Sequence, residues 1–327
     1  MSASGGTRAI IAALLANLGI AVTKFVAYLI TLSSSMLAEA VHSVADSGNQ
    51  ALLLLGGRRA QREASPRHPF GYGRDRYIYA FIVSIVLFSV GGLFALWEGY
   101  EKLQDPHAIE NWWVAVGVLV IAIILESYSF RTAIVESNRI RGRASWVQFI
   151  RRAKAPELPV VLLEDFGALL GLVFALIGVS VSVLTGDGIW DAFGTLAIGA
   201  LLVSIAVVLA IETKSLLLGE SATASDQERI AAALRSVAGV EGIIHMRTMH
   251  LGPDELLVGA KIAVNRADSA ADVAAAIDRA EARIREAVPI AEVIYIEPDI
   301  LRQPAPSGPA VAPPDGSAGT EHRPAGA

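Results

Sequence analysis

An imidazole and a carboxylate four residues apart, His42 and Asp46, sit in a run of otherwise small and apolar residues, and Asn49 follows one turn later. On a helix these three fall along one stripe, where a ring nitrogen, a carboxylate oxygen and an amide oxygen can reach a single cation. One helix rarely fills a tetrahedral shell, so a second helix must bring the rest. Glu164 and Asp165 stand in a later apolar run at about the depth of Asp46, measured from the arginine-rich ends of the two runs. Glu164 lies about 100° around the helix from Asp165, which leaves it three roles: a fourth ligand, an acceptor behind the ligands, or a subunit contact. The chain has no Cys, which excludes thiolate ligands, disulfides and Cys nucleophiles. A set of His, carboxylate and amide donors suits Zn²⁺, Mn²⁺, Fe²⁺ or Co²⁺ and not Cu(I). Metal and protons compete for such ligands, and that competition is the chemistry of an exchanger.

These residues need elements that hold them inside an apolar medium. The 327-residue chain is 53% hydrophobic with a mean hydropathy of +0.50, too apolar for a soluble globule. Six runs are long enough to cross a hydrocarbon core of about 30 Å as helices: Arg8–Leu32, Met36–Gly57, Tyr77–Tyr100, Trp112–Val135, Pro159–Leu184 and Ile189–Ile211. Intramembrane charge is costly, so each such residue asks for a function. Lys24 and Glu126 are expected to snorkel, pair or line a water path, and Glu39 to face outside water or an exit path. Arg58, Arg59, Arg62, Arg67, Arg74 and Arg76 gather in one connection and Arg139, Arg141, Arg143, Arg151, Arg152 and Lys154 in another, while the opposite connections carry one Lys. The positive-inside rule then predicts a multi-pass protein with both termini cytoplasmic; the expected location is a bacterial inner membrane. Met1–Thr7 lacks a cleavage pattern, so the first run is expected to stay in the mature chain. Trp97, Tyr100, Trp112, Trp113 and Trp190 fit an interfacial belt. A charge pairing of Arg74 with Glu212 or Glu220 is expected to brace the bundle at the cytoplasmic edge.

Past Lys214 the pattern becomes that of a soluble domain. Ser225 with Glu228 reads as a capping box opening a helix that Gly239 closes. Alternating runs Ile243–Leu251 and Leu256–Val264 flank a Gly-Pro-Asp-Glu turn, followed by a helix at Ser269–Ala287 and a strand at Val293–Glu297. The expected organisation is a six-helix domain over residues 1–213, a cytoplasmic αββαβ domain of ferredoxin-like α+β type over 214–300, and a disordered tail of Pro, Ala, Gly and Ser over 301–327. A net charge of −5 with basic residues confined to loops gives no nucleic-acid footprint. No His-Glu-x-x-His motif occurs, so an intramembrane enzyme ranks far behind a carrier.

Leu37–Asp46, the loop motif His68-Pro69-Phe70-Gly71-Tyr72-Gly73-Arg74 and the αββαβ segment together resemble the cation diffusion facilitator family, over roughly residues 8–299. Leu162-Leu163-Glu164-Asp165-Phe166-Gly167 resembles the branch of that family with mitochondrial zinc-exporter homologues. The resemblance implies a homodimeric metal/proton antiporter exporting Zn²⁺ by alternating access, with no resident cofactor, and a site of His42, Asp46, Asp165, Glu164 and Asn49. The alternative is a metal sensor or partner subunit of the same fold that does not transport. Three departures stand out. Val161 replaces a His of the better-known zinc branch, Tyr72 replaces a second loop His beside His68, and the tail-domain metal positions fall on Ile244, Lys261 and Tyr295, with Glu297 the one acid retained. His245 and His250 either compensate there or are simply solvated.

Overall fold

The computed structural model describes residues 4–31, 34–106 and 112–301, without the side chains of 4, 5, 31, 34–39, 41, 42 and 45. Seven helices come first: α1 Ser4–Thr31, α2 Ser34–Ala60, α3 Asp75–Gln104, α4 Trp112–Arg141, the short α5 Trp146–Arg152, α6 Glu157–Thr185 and α7 Ile189–Leu218. Five of the six expected spans, α1, α3, α4, α6 and α7, are long and apolar enough to cross a membrane. The remaining one, α2, has 27 residues, about 40 Å at 1.5 Å each, but its serines, acids and amides dilute its apolarity. The helix that carries His42, Asp46 and Asn49 is therefore the least apolar of the six. Around the bundle, Leu15, Val22, Leu29, Ile124 and Leu184 are exposed, a shell that is stable against lipid and costly against water.

α1 packs along α2, α4 and α6, while α3 packs mainly against α2 and α7. The α3–α7 crossing is tight because Gly99 and Gly199 lack side chains. A Cβ on Gly199 would stand 2.8 Å from the Leu96 backbone nitrogen, and one on Gly99 would stand 2.9 Å from that of Leu196. Near the middle of α3, Leu87–Leu93 widens into a π-helical turn, a feature the apolar run does not announce.

The segment after α7 forms α8 Ala224–Arg235, β1 Gly242–Gly252, β2 Glu255–Ala263, α9 Ala270–Ala287 and β3 Val293–Asp299. The strands lie in the order β1-β2-β3, with β1 antiparallel and β3 parallel to β2. Ile230, Leu234, Leu256, Val258, Ile262 and Ile284 form the core between sheet and helices, leaving the other sheet face open. The Gly252–Glu255 turn is as expected. The N-cap of α8 is not Ser225 but Thr223, whose hydroxyl accepts from the Asp226 backbone nitrogen at 3.2 Å. Residues 302–327, expected to be disordered, lie outside the described residues.

Ion pairs join this domain to the bundle. Arg76 at the start of α3 binds Glu157 at the start of α6 through two nitrogens and Asp254 of the β1–β2 turn at 2.7 Å. Lys154 binds Glu220, whose carbonyl accepts from the His250 backbone nitrogen at 2.8 Å. Gly73 and Gly252 meet backbone to backbone: a Cβ on Gly252 would be 2.8 Å from the Gly73 Cα. The expected Arg74 brace is corrected here. Glu220 is taken by Lys154 and Glu212 faces Arg151 at 3.6 Å, while Arg74 points its Nη2 at the Met249 sulfur, 3.3 Å away.

Candidate functional site

Three helices contribute buried polar groups at one level of the bundle. From α2 come Asn49 and Gln50, both fully buried, with Asp46 partly buried one turn earlier. From α6 come Glu164 and Asp165, and from α4 Glu126 and Ser129, all buried. Their geometry is that of a hydrogen-bonded seam. Asn49 Nδ2 donates to Glu164 Oε1 at 2.8 Å, and Gln50 Nε2 donates to Glu164 Oε2 at 3.0 Å. Asn17 of α1 in turn reaches Gln50 Oε1 at 3.4 Å. Ser129 donates to Asp165 Oδ2 at 2.6 Å. α2 and α6 are thus joined by long amide side chains that take both oxygens of Glu164, which favours the acceptor role for that residue. Asn49 Oδ1 is buried and without a hydrogen-bond partner among the described residues.

The placement of the expected ligands is mixed. Asp46, Asn49, Glu164 and Asp165 lie in one region, with Asp46 and Asp165 both within electrostatic reach of Glu164. The backbone of His42 is in α2, one turn before Asp46, and its side chain lies outside the described residues, as does that of Glu39. Among the described residues, no three His, Asp or Glu side chains converge closely enough to hold a metal ion. Val161, one turn before Asp165, is fully buried among apolar neighbours.

Glu126, expected to snorkel, pair or line a water path, lies beside these groups. It is buried, lies within reach of Asp165, Glu164 and Asp46, and stands one turn from the Ser129 that binds Asp165. The available signal was the i, i+3 pairing of Glu126 with Ser129 in an otherwise apolar helix. No Arg or Lys pairs with Glu126, Glu164 or Asp165 among the described residues. Three uncompensated acids in one apolar bundle cost several kcal/mol or more, an expense that cations or protons can offset.

The loop and tail positions look different. Tyr72 packs on His68 with ring centroids 4.8 Å apart, binds Ser65 through its hydroxyl at 3.2 Å and lies under the Arg62 guanidinium at 5.3 Å. On the sheet, Lys261 Nζ stands 3.0 Å from both Glu297 and Asp299, placing an ammonium between the acids. Ile244 and Tyr295 are exposed. His245 is exposed on its strand, whereas His250, expected to be a ligand or solvated, is 2% exposed and turns Nδ1 to the Gly252 carbonyl at 3.2 Å. Burial pushes the His250 imidazole below its ordinary value. Burial would raise Glu220, but hydrogen bonds from Lys154 and Ser215 outweigh it and hold that carboxyl low.

Residues 10–218 match the family model for the cation efflux transmembrane domain, and residues 222–299 match that for the cation efflux cytoplasmic domain. The chain is 32% identical over 242 residues to the mitochondrial proton-coupled zinc antiporter SLC30A9 of Xenopus laevis, covering 73% of this chain and 43% of that protein. The corresponding human protein is 31% identical over 232 residues, covering 70% of this chain and 41% of its own. Metal tolerance protein C4 of Arabidopsis thaliana is 28% identical over 260 residues, 79% of this chain and 57% of that one. The chain thus spans less than half the length of the two antiporters it matches.

Proposed function

This chain belongs to the cation efflux family, the cation diffusion facilitators, and from that premise we propose that it carries a divalent cation, Zn²⁺ first, out across its membrane in exchange for protons. The observation that supports this most is the buried group of Glu126, Glu164 and Asp165 without a basic partner among the described residues. The names of the relatives, proton-coupled zinc antiporters, point the same way. α2 is read as the sixth span. His42, Asp46 and Asp165 hold the ion, and Glu164 aligns Asn49 so that its unmatched oxygen is offered to the same ion. Protons arriving from the far side neutralise the carboxylates and evict the metal, and alternation between two openings makes the exchange directional.

The open face of the β1-β2-β3 sheet is the surface on which a second copy pairs, giving a homodimer. The arginine-rich connections place both termini on the cytoplasmic side. The expectation of a bacterial inner membrane draws no support from the SLC30A9 relatives, which are mitochondrial by name. Since those antiporters extend well beyond this chain, activity, substrate and assembly are all part of the proposal.

Reconstituted chain loaded with a pH dye should report proton movement on addition of Zn²⁺; tight Zn²⁺ binding with no proton flux would instead make the protein a sensor. A second measurement addresses His42. Exchanging its nitrogen for oxygen hardens the site, so His42→Asp should shift the metal ranking toward Mn²⁺ or Fe²⁺ by about tenfold relative to Zn²⁺. An unchanged ranking removes His42 from the ligand set.

A further inference from the structure

Between Ser137 and Pro156 the chain carries Arg139, Arg141, Arg143, Arg151, Arg152 and Lys154 and no acid. Three of these cations have carboxylate partners: Arg139 on Glu136 at 2.8 Å, Arg151 on Glu212 at 3.6 Å and Lys154 on Glu220. Arg141, Arg143 and Arg152 have none among the described residues, and Arg143 and Arg152 are exposed. In the other arginine-rich connection Arg58 and Arg67 are likewise exposed, but four of its six arginines are engaged within the fold, Arg74 on Met249 among them. There Arg59 lies on Tyr79, Arg62 on Tyr72, and Arg76 on Glu157 and Asp254.

The helix inside the first connection, α5, has seven residues, too few to be stable alone. A Ser145–Gln148 capping box starts it, and Phe149, 7% exposed, pins it to the bundle core. Val147, about 200° around the helix from Phe149, is 64% exposed, while Trp146, edge-on to the Phe149 ring with centroids 6.5 Å apart, is 37% exposed and carries the Arg141 guanidinium 4.2 Å over its indole. α5 sits between the end of α4 and the start of α6, at the edge of the apolar shell. Apolar side chains and uncompensated guanidiniums at that level match acyl chains below and phosphates above.

We propose that the Arg141–Pro156 connection is a binding surface for anionic phospholipid headgroups, with Arg143 and Arg152 on the phosphates and Trp146 and Val147 set into the acyl boundary. Soluble polyanions would use the guanidiniums but leave Val147 in water, so lipid is the occupant that uses both features. The test uses the full-length chain in detergent, titrated with phosphatidylglycerol or phosphatidylcholine and read by native mass spectrometry. Each guanidinium near an anionic lipid surface strengthens binding about fivefold. Wild type should therefore prefer phosphatidylglycerol by roughly tenfold or more, and an Arg143→Gln/Arg152→Gln double variant should bind both lipids alike. Arg266→Gln, an exposed change in the tail domain, should keep the preference. Val147→Ser should weaken both lipids together. High salt applied to wild type should collapse the preference, which keeps the test valid if the double variant fails to fold. An equal affinity of wild type for the two lipids, a preference that survives the double substitution or high salt, or displacement of phosphatidylglycerol by an equal concentration of inorganic phosphate would each overturn the assignment. Because binding is read without transport, its failure is distinct from a failure of the antiport reading.

Discussion

Replacing Asp165 by asparagine should reduce Zn²⁺-driven proton flux by roughly a hundredfold or more, since even groups that only orient a metal ligand are worth about 10- to 100-fold. The substitution is chosen for what it keeps. An amide oxygen in place of Oδ2 still accepts from Ser129, now at 2.6 Å, so the contact between α4 and α6 survives. What disappears is a negative charge and a site for a proton. Burying that charge is costly in the empty protein, so thermal stability should stay the same or rise while flux falls. That opposite movement separates a functional acid from a structural one. Ser129→Ala offers a graded control: it leaves the charge and removes its hydrogen bond, so the loss should be smaller, on the order of tenfold. Full flux in Asp165→Asn would remove this acid from the ion path and leave the buried seam a structural feature.

The spacing of His42, Asp46 and Asn49 and the Glu-Asp pair were legible because helical periodicity is local and charge inside an apolar run is conspicuous. Distances between helices are not local. Nothing in the sequence said that Asn49 and Gln50 would spend their amides on Glu164, leaving its oxygens occupied. Glu126 was visible as an acid in a span, but its nearness to Asp165 depends on how α4 rotates against α6, which packing decides. Short elements were lost for a related reason. Seven residues are too few for a periodic signal, so α5 escaped, although Ser145 and Gln148 have the spacing of a capping box. The strands of the tail domain were legible because the alternation along β2 and the Gly-Pro-Asp-Glu turn between β1 and β2 are strong local signals. Arg74 and Arg76 show the opposite limit. Both are cations at one membrane edge, but two residues along a helix turn them about 200° apart, so Arg76 meets Glu157 and Arg74 meets Met249, while Glu212 and Glu220 go to Arg151 and Lys154.

That correction carries the second large effect. Arg76→Ala should lower the unfolding free energy by about 3–5 kcal/mol, the usual result of stranding one member of a buried ion pair. The Arg76 and Glu157 side chains are 13% and 7% exposed, so Glu157 would lose a bidentate partner where water cannot replace it. Asp254, 58% exposed, is screened, and Asp254→Ala should cost less than about 1 kcal/mol although its bond to Arg76 is 2.7 Å long. The two results together distinguish a clamp between α3 and α6 from a strap between bundle and tail domain. If the clamp dominates, an Arg76→Met/Glu157→Leu double variant should recover most of the lost stability, because an apolar pair of similar volume carries no desolvation cost. If the strap dominates, the double variant should stay weak and Asp254→Ala should resemble Arg76→Ala. Thermal unfolding of the four proteins in one detergent reads the difference, and equal midpoints for wild type and Arg76→Ala would dismiss both. The ends of α3 and α6 are also the ends that must shift if the bundle opens toward the arginine-rich side. A pair this buried therefore sets how far the two helices can part without breaking it, and Arg76→Lys, which keeps charge but loses the fork, should loosen that limit while retaining most of the fold.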